Sequence, residues 1–149
     1  MTIEIDLEHD YKVLTQHKTP PELLDEEKIY NVLVLGVRDY INKNGFPGAL
    51  VGLSGGADSA LTLAIAADAI GADNVSALLM PSRYTSNMSI EDAIAQANTL
   101  SVHYSTIEIE PIFEAFLNAL TAEFTGLPQD ITEENLQARV RGTLLMAIS

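Results

Sequence analysis

The stretch LVGLSGGADSALTLA, residues 50–64, joins two apolar runs through a handful of small and polar residues. The first run is short, as a buried strand is, and the second is apolar at nearly every position of a helix-length segment. A buried strand that turns at once into a buried helix fits few architectures. It opens a βα unit, and such units assemble into a parallel sheet whose faces are covered by helices. The glycine pair marks the turn between them.

The remainder of the chain repeats this alternation. Residues 25–44 read as a helix with an apolar stripe of Ile29, Val32, Leu33, Gly36, Val37, Tyr40 and Ile41. Asn44-Gly45 stops it and Pro47 prevents its resumption. ALVGL, 49–53, is a strand, followed by a helix from about Asp58 to Ile70 that Gly71 closes. VSALLM, 75–80, is a second buried strand, broken by Pro81. Ser89 is the expected N-cap of the next helix, with Asp92 at its third position and Ile90, Ala93, Ile94, Ala97 and Leu100 as its buried stripe. YSTIEI, 104–109, alternates as a third strand, and Pro111 suits the first turn of a helix running to about Phe124. GLPQD, 126–130, is a loop, after which Thr132 caps a last helix. The expected fold is α/β: a three-layer α/β/α arrangement around a parallel, Rossmann-like sheet. Three strands make a small sheet, and the last helix reaches Ser149 without a stop signal, so the expectation is a C-terminally truncated domain. Residues 1–23 hold one short alternating run, IEIDL, and a TPP breaker, and read as a linker or the tail of a preceding domain.

Composition narrows the partners. With 149 residues and 47% hydrophobic content the chain can bury a core of one ordinary domain. No apolar run approaches the ~18 residues of a membrane span, and residues 1–20 carry acids rather than a signal-peptide core. Cysteine is absent, which removes disulfides and thiolate metal sites and agrees with a cytoplasmic enzyme. The net charge of −13 repels nucleic acid and anionic membrane, so neither is an expected partner. Lys12, Lys18, Lys28 and Lys43 all precede the glycine motif, and after it the only cations are Arg83, Arg139 and Arg141. An anion bound here depends on backbone N–H groups, a metal ion or those arginines.

SGGADS supplies the backbone groups. Ligands of open α/β sheets bind at the carboxyl ends of the strands. Gly55 and Gly56 permit positive φ and close approach to the backbone, and the helix that follows turns its N-terminal N–H groups and positive dipole end to the same place. Ser54 and Ser59 add hydroxyls. The loop is neither GxxxxGK[ST] nor GxGxxG, which excludes two familiar phosphate loops. Asp58 beside phosphates is repulsive unless a cation intervenes, and Mg²⁺ is the expected bridge. The plainer alternative is a strand-to-helix turn with Asp58 as a helix N-cap.

GLSGGADS resembles the pyrophosphate loop of the N-type ATP pyrophosphatases, which adenylate a substrate and release pyrophosphate. MPSRYTSNMSIEDA, 80–93, and TEENLQARVRGTLLMAIS, 132–149, are similar to two segments of the NAD synthetases, as is DYINKNGFPGALVGLSGGADSALTLAIAADAIGA, especially in the glutamine-dependent form. The resemblance covers roughly residues 25–149 with the motifs in order. It implies the N-terminal part of a synthetase domain over 24–149, with 1–23 trailing a glutaminase domain. The implied reaction converts deamido-NAD to NAD through an adenylate, consuming ATP with Mg²⁺ and using ammonia, free or from glutamine. A homo-oligomer is implied as well. The chain itself offers no glutaminase nucleophile.

The resemblance places ATP against Gly52, Leu53, Ser54, Gly55, Gly56, Ala57, Asp58 and Ser59, with Met80 and Arg83 at the end of the second strand. It gives Asp58 the metal, and it gives deamido-NAD to Asn135 and Arg139. These last two are four apart on one helix edge beside the stripe Leu136, Val140, Leu144 and Ile148. Arg suits a phosphate or carboxylate bidentately. Arg141 falls off that edge and reads as structural. No side chain is assigned covalent catalysis. Leu78 reads as core, His103 as a strand-start residue, and Glu91 and Asp92 as first-turn charges. Two rivals stand: another ligase built on the same loop, and a non-catalytic ATP-binding module.

Overall fold

The computed structural model describes residues 3–5, 13–16, 23–126 and 131–149. Chain contacts divide it into two units, Met1–Tyr30 and Asn31–Ser149. In the first unit, strand β1 (Ile3–Ile5) runs antiparallel to β2 (Val13–Gln16), with Ile3 opposite Gln16 and Glu4 opposite Thr15. β1 falls in the IEIDL run, whereas the TPP breaker lies outside the described residues. The GLPQD loop, apart from Gly126, also lies outside them.

The second unit carries a three-stranded parallel sheet of β3 (Ala49–Gly52), β4 (Val75–Leu79) and β5 (His103–Thr106), in that order. Helices α2 (Ala57–Ile70) and α3 (Asn87–Thr99) are the crossovers. Both connections step the same way across the sheet, and right-handed crossovers therefore set both helices on one face. That face is the main core. Leu53, Val75, Ala77 and Leu79 meet Leu63 and Ala66 of α2, Ala93 and Ala97 of α3, and Val102. The strand pleat sends the alternate residues the other way. Gly52, paired with Leu78 across the ladder, faces Leu145 of helix α6 (Ile131–Ile148) so closely that a Cβ on it would stand 3.3 Å from the leucine methyl. The sheet is thus sandwiched between α2 and α3 on one side and α6 on the other, the layered α/β arrangement expected.

Helix α1 (Asp25–Asn44) precedes the sheet and joins it through Arg38. Its guanidinium donates to the carbonyls of Ala69 (2.7 Å) and Asp68 (3.0 Å) at the end of α2. That end has no basic residue of its own, so the cation that complements its dipole comes from α1. Gly71 closes α2 as expected, at φ +84° with its N–H on Ala67 O.

Several expectations change. The apolar stripe of α1 is mostly uncovered: Ile41 is buried, while Ile29, Val32, Leu33 and Tyr40 are exposed. α1 is apolar on more than one side, and only one line of it is covered. The third strand is shorter than 104–109, although Ile107 N–H still reaches Leu79 O and Ile109 N–H reaches Pro81 O. The helix expected through Phe124 is two, α4 (Glu110–Ala119) and α5 (Thr121–Phe124), separated at Leu120. Thr132 lies inside α6, one residue past its start, rather than capping it.

Leu63 has no exposed surface and sits at the centre of the α2 face. Leu63→Ala should cost about 2–5 kcal/mol of folding stability, measured by urea denaturation.

Candidate functional site

At the carboxyl end of β3 the ladder continues one residue further, with Leu53 N–H donating to Leu78 O at 2.9 Å. The chain then turns through Ser54, Gly55 and Gly56 into α2. Gly55 has φ +81°, and a Cβ there would lie 2.0 Å from the carbonyl oxygen of Ser89 in α3. Only glycine meets both demands. Gly56 departs from the expectation of positive φ. It is extended at φ −90°, and a Cβ on it would make only a 3.4 Å contact with Ser54 Oγ.

Two hydroxyls hold the loop. Ser59 Oγ donates to Gly56 O (3.0 Å), so its single proton is engaged there. Ser59 Oγ therefore accepts from the Ser54 hydroxyl (3.0 Å), and it also accepts from Ser54 N–H (3.2 Å). Ser54 Oγ in turn accepts from Gly56 N–H (3.3 Å). The serines thus shape the loop as well as offering polar atoms at its surface. The N-cap of α2 is Gly56, which makes no side-chain cap hydrogen bond. The first-turn amides are left without a side-chain acceptor, and Asp58 is not the cap. It is exposed in the first turn, one residue after Ala57.

The start of α3 lies alongside. Its N-cap is Ser86, whose side chain accepts from Ser89 N–H at 3.1 Å, so Ser89 is not the cap expected. The helix begins two residues before Ser89, which places Ser89 at the third helical position. There its amide is the one a capping side chain reaches.

Between these elements lies a cavity of about 270 Å³. Gly52, Leu53 and Ser54 form one wall; Leu79, Met80 and Pro81 a second; Thr85, Ser89, Ile90 and Ala93 a third; Arg141 and Leu145 the last. Arg141 lies off the Asn135–Arg139 edge and makes a structural contact, as expected, but it also lines the cavity. Its Nε donates to Met80 O at 3.2 Å, bridging α6 to the end of β4, and partial burial lowers its pKa from the usual arginine value. The buried positions of α6, Gln137 and Val140, put residue 141 on the same inner side as Leu144 and Leu145. The apolar spacing that isolated Leu136, Val140 and Leu144 could have signalled this, since 141 adjoins 140 and stands four before 145. Thr85, Ser89 and Leu145 were not anticipated either.

The other expected site residues are distributed as follows. Gly52, Leu53, Ser54 and Met80 line the cavity; Gly55, Gly56, Ala57, Asp58 and Ser59 follow in the loop and the first turn of α2 and are not part of the lining. Leu78 is fully buried. Arg83 is outside the lining. Its backbone N–H donates to Glu110 Oε2 (2.9 Å), and its guanidinium pairs with Glu110 and with Glu114. Hydrogen bonds from the Arg83 side chain, then its backbone, hold the Glu110 carboxyl below the ordinary glutamate value. Asn135 and Arg139 are exposed on the outer side of α6 and do not line the cavity. Among the described residues no three His, Cys, Asp or Glu side chains converge to hold a metal ion.

A second hollow, at the amino edge of the sheet, is lined by Arg38, Asn42 and Asn74 among others. Two of its polar groups are engaged with α2: Arg38 as above, and Asn74 Nδ2 with Ile70 O at 2.8 Å. The carboxyl edge, with its uncapped helix start, is the candidate site.

An open parallel sheet with a glycine loop entering an uncapped helix at its carboxyl edge defines an α/β protein of the Rossmann-like nucleotide-binding class. The NAD synthase family model matches residues 29–149, and the chain belongs to that family. It is 55% identical over 129 residues to a glutamine-dependent NAD(+) synthetase of Acinetobacter baylyi, covering 87% of this chain and 24% of the relative. The structure of a glutamine-dependent NAD+ synthetase from Acinetobacter baumannii in complex with ADP superposes with a TM-score of 0.90 at 50% identity, over 99% of this chain and 28% of that one. An NMN synthetase from Francisella tularensis superposes at TM-score 0.75 and 29% identity, over 85% of this chain and 50% of that one. The chain thus spans about a quarter of the glutamine-dependent relatives.

Gly55→Ala should destabilise the protein by about 1–3 kcal/mol, through left-handed strain and the collision with Ser89 O. A Gly56→Ala control should cost less, and thermal melts of the two variants compare them. The Arg83–Glu110 pair has a pH signature. Because the folded pKa of Glu110 is depressed, its contribution is present above the ordinary glutamate range and is lost as pH falls through that range to the lower folded value. Urea midpoints measured from pH 7 to pH 3 should fall less steeply in Glu110→Gln than in the unsubstituted protein.

Proposed function

We propose that the protein makes NAD from deamido-NAD by ATP-dependent amidation, with AMP and pyrophosphate as the other products. The observation that carries this reading is the cradle at the carboxyl edge of β3, where an uncapped helix start and the Gly55 turn adjoin a largely apolar cavity. The cavity suits a planar base and the helix start suits phosphates. The ADP bound to the Acinetobacter baumannii relative supports an adenine nucleotide as the ligand.

The chemistry follows from what a carboxylate lacks. A free carboxylate is a poor acyl donor. The nicotinate carboxylate of deamido-NAD attacks the α-phosphorus of ATP, pyrophosphate leaves, and the mixed anhydride accepts ammonia at its carbonyl carbon to give the amide and AMP. The chain's part is orientation and charge stabilisation. The loop Ser54 to Ser59 holds the β- and γ-phosphates, chiefly through the amides at the start of α2 that no side chain caps. Ser54 and Ser59 keep the loop in register, and Gly52, Leu53 and Met80 bound the base. Asp58 would hold Mg²⁺, which would neutralise phosphate charge. Asn135 and Arg139, exposed on α6, orient the dinucleotide, and Arg83 meets the nucleotide from its place beside Glu110. Ammonia comes from a glutaminase domain in a homo-oligomeric whole protein.

Two readings compete. The likeness to an NMN synthetase favours a mononucleotide carboxylate as an alternative acceptor. A non-catalytic ATP-binding module is the other. The test supplies ATP, ammonia and either deamido-NAD or nicotinate mononucleotide to the chain in a form spanning the length of its relatives. NAD and pyrophosphate should form with the dinucleotide. Pyrophosphate only with the mononucleotide would favour the first rival, and nucleotide binding without pyrophosphate the second. Asp58→Ala should lower turnover by about 10²-fold or more; near-normal turnover would remove Asp58 from the metal role.

A further inference from the structure

Arg141 is the feature of the cavity that the reading above leaves unused. Its Nε–H is engaged by Met80 O, which fixes the plane of the guanidinium, and both Nη groups have no partner among the described residues. Other cations are paired: Arg83 with Glu110 and Glu114, Lys28 with Asp25 and Lys43 with Asp39. The contrast is sharp in a chain of net charge −13, where carboxylates outnumber cations. Arg141 instead faces a wall of Leu53, Ile90, Ala93 and Leu145, with no acid lining the cavity. A half-buried cation without a counter-charge is costly, and a ligand anion is what would offset that cost.

We propose that Arg141 binds the phosphate nearest the base of the nucleotide, through its free Nη groups. This rests on the nucleotide reading of the site. Ser54 and Arg141 line the same cavity from different walls, β3 and α6. A polyphosphate whose distal end lies on the α2 amides passes between them, and its base-proximal phosphate falls to the arginine side. The planar Nη pair donates to two phosphate oxygens at once. A product such as AMP carries no distal phosphates, so Arg141 is its principal anion contact. Arg139, two residues earlier, is on the exposed side of the helix and cannot substitute.

The test compares calorimetric affinities of the protein for adenosine, AMP and ATP. In Arg141→Gln, AMP should bind about tenfold to a hundredfold more weakly, ATP less affected, and adenosine as before. Arg141→Lys should keep part of the AMP affinity, and it carries the test if the glutamine variant does not fold. An unchanged AMP-to-adenosine affinity ratio in both variants overturns the proposal. So does an equal loss for all three ligands, which would mark Arg141 as a brace acting through Met80. If the unsubstituted protein binds none of the three, the nucleotide reading itself fails and the proposal with it. If ATP binds and only the Arg141 variants behave as unsubstituted protein, the nucleotide reading stands alone.

Discussion

The approach of Gly55 to the carbonyl of Ser89 is the contact on which the site depends. It sets the starts of α2 and α3 side by side at one edge of the sheet, closer than any side chain at position 55 would allow. The loop must then turn through a left-handed residue, and the hydroxyls of Ser54 and Ser59 hold that turn from within. The cavity is the space left under this junction. At Gly52, on one wall, the lack of a Cβ lets Leu145 and Met80 approach the strand.

Charge is handled by position rather than by amount. A chain of net charge −13 is a poor prospect for binding an anion if only the total is considered. Locally the balance is different. Arg38 is committed to the carboxyl end of α2, Arg83 to two glutamates on α4, and Arg141 to the cavity wall. The cradle itself draws on backbone dipoles, which no change in surface charge removes.

Much of the fold is legible in the sequence because burial leaves a periodic trace. The strands at Ala49 and Val75 and helix α2 are apolar on nearly every side, α3 carries a single apolar stripe, and Gly71 and Pro81 punctuate the runs where the structure ends them. The glycine loop is legible for the same reason, since small polar residues between two buried runs need an explanation. What is not legible depends on distance across the fold. Nothing near Gly55 in the chain announces Ser89 O, and nothing near Arg141 announces Met80 O, 61 residues away. The assignment of Ser89 as a cap failed at this level, and the place of Arg141 on the cavity wall went unread. Each required a helix phase that only tertiary packing sets. For α1 the pattern was apolar on several sides, and periodicity alone could not choose the side that is covered.

The central claim is that the junction of Gly55 with α3 builds a phosphate cradle from the backbone of α2. The most direct test is a nitrogen–proton NMR titration that follows the amides of residues 54–60 with adenosine, AMP and ATP. ATP should shift these amides strongly, AMP less, and adenosine hardly at all. Amides 54–60 that remain still under saturating ATP, with the shifts located elsewhere in the chain, would contradict the claim.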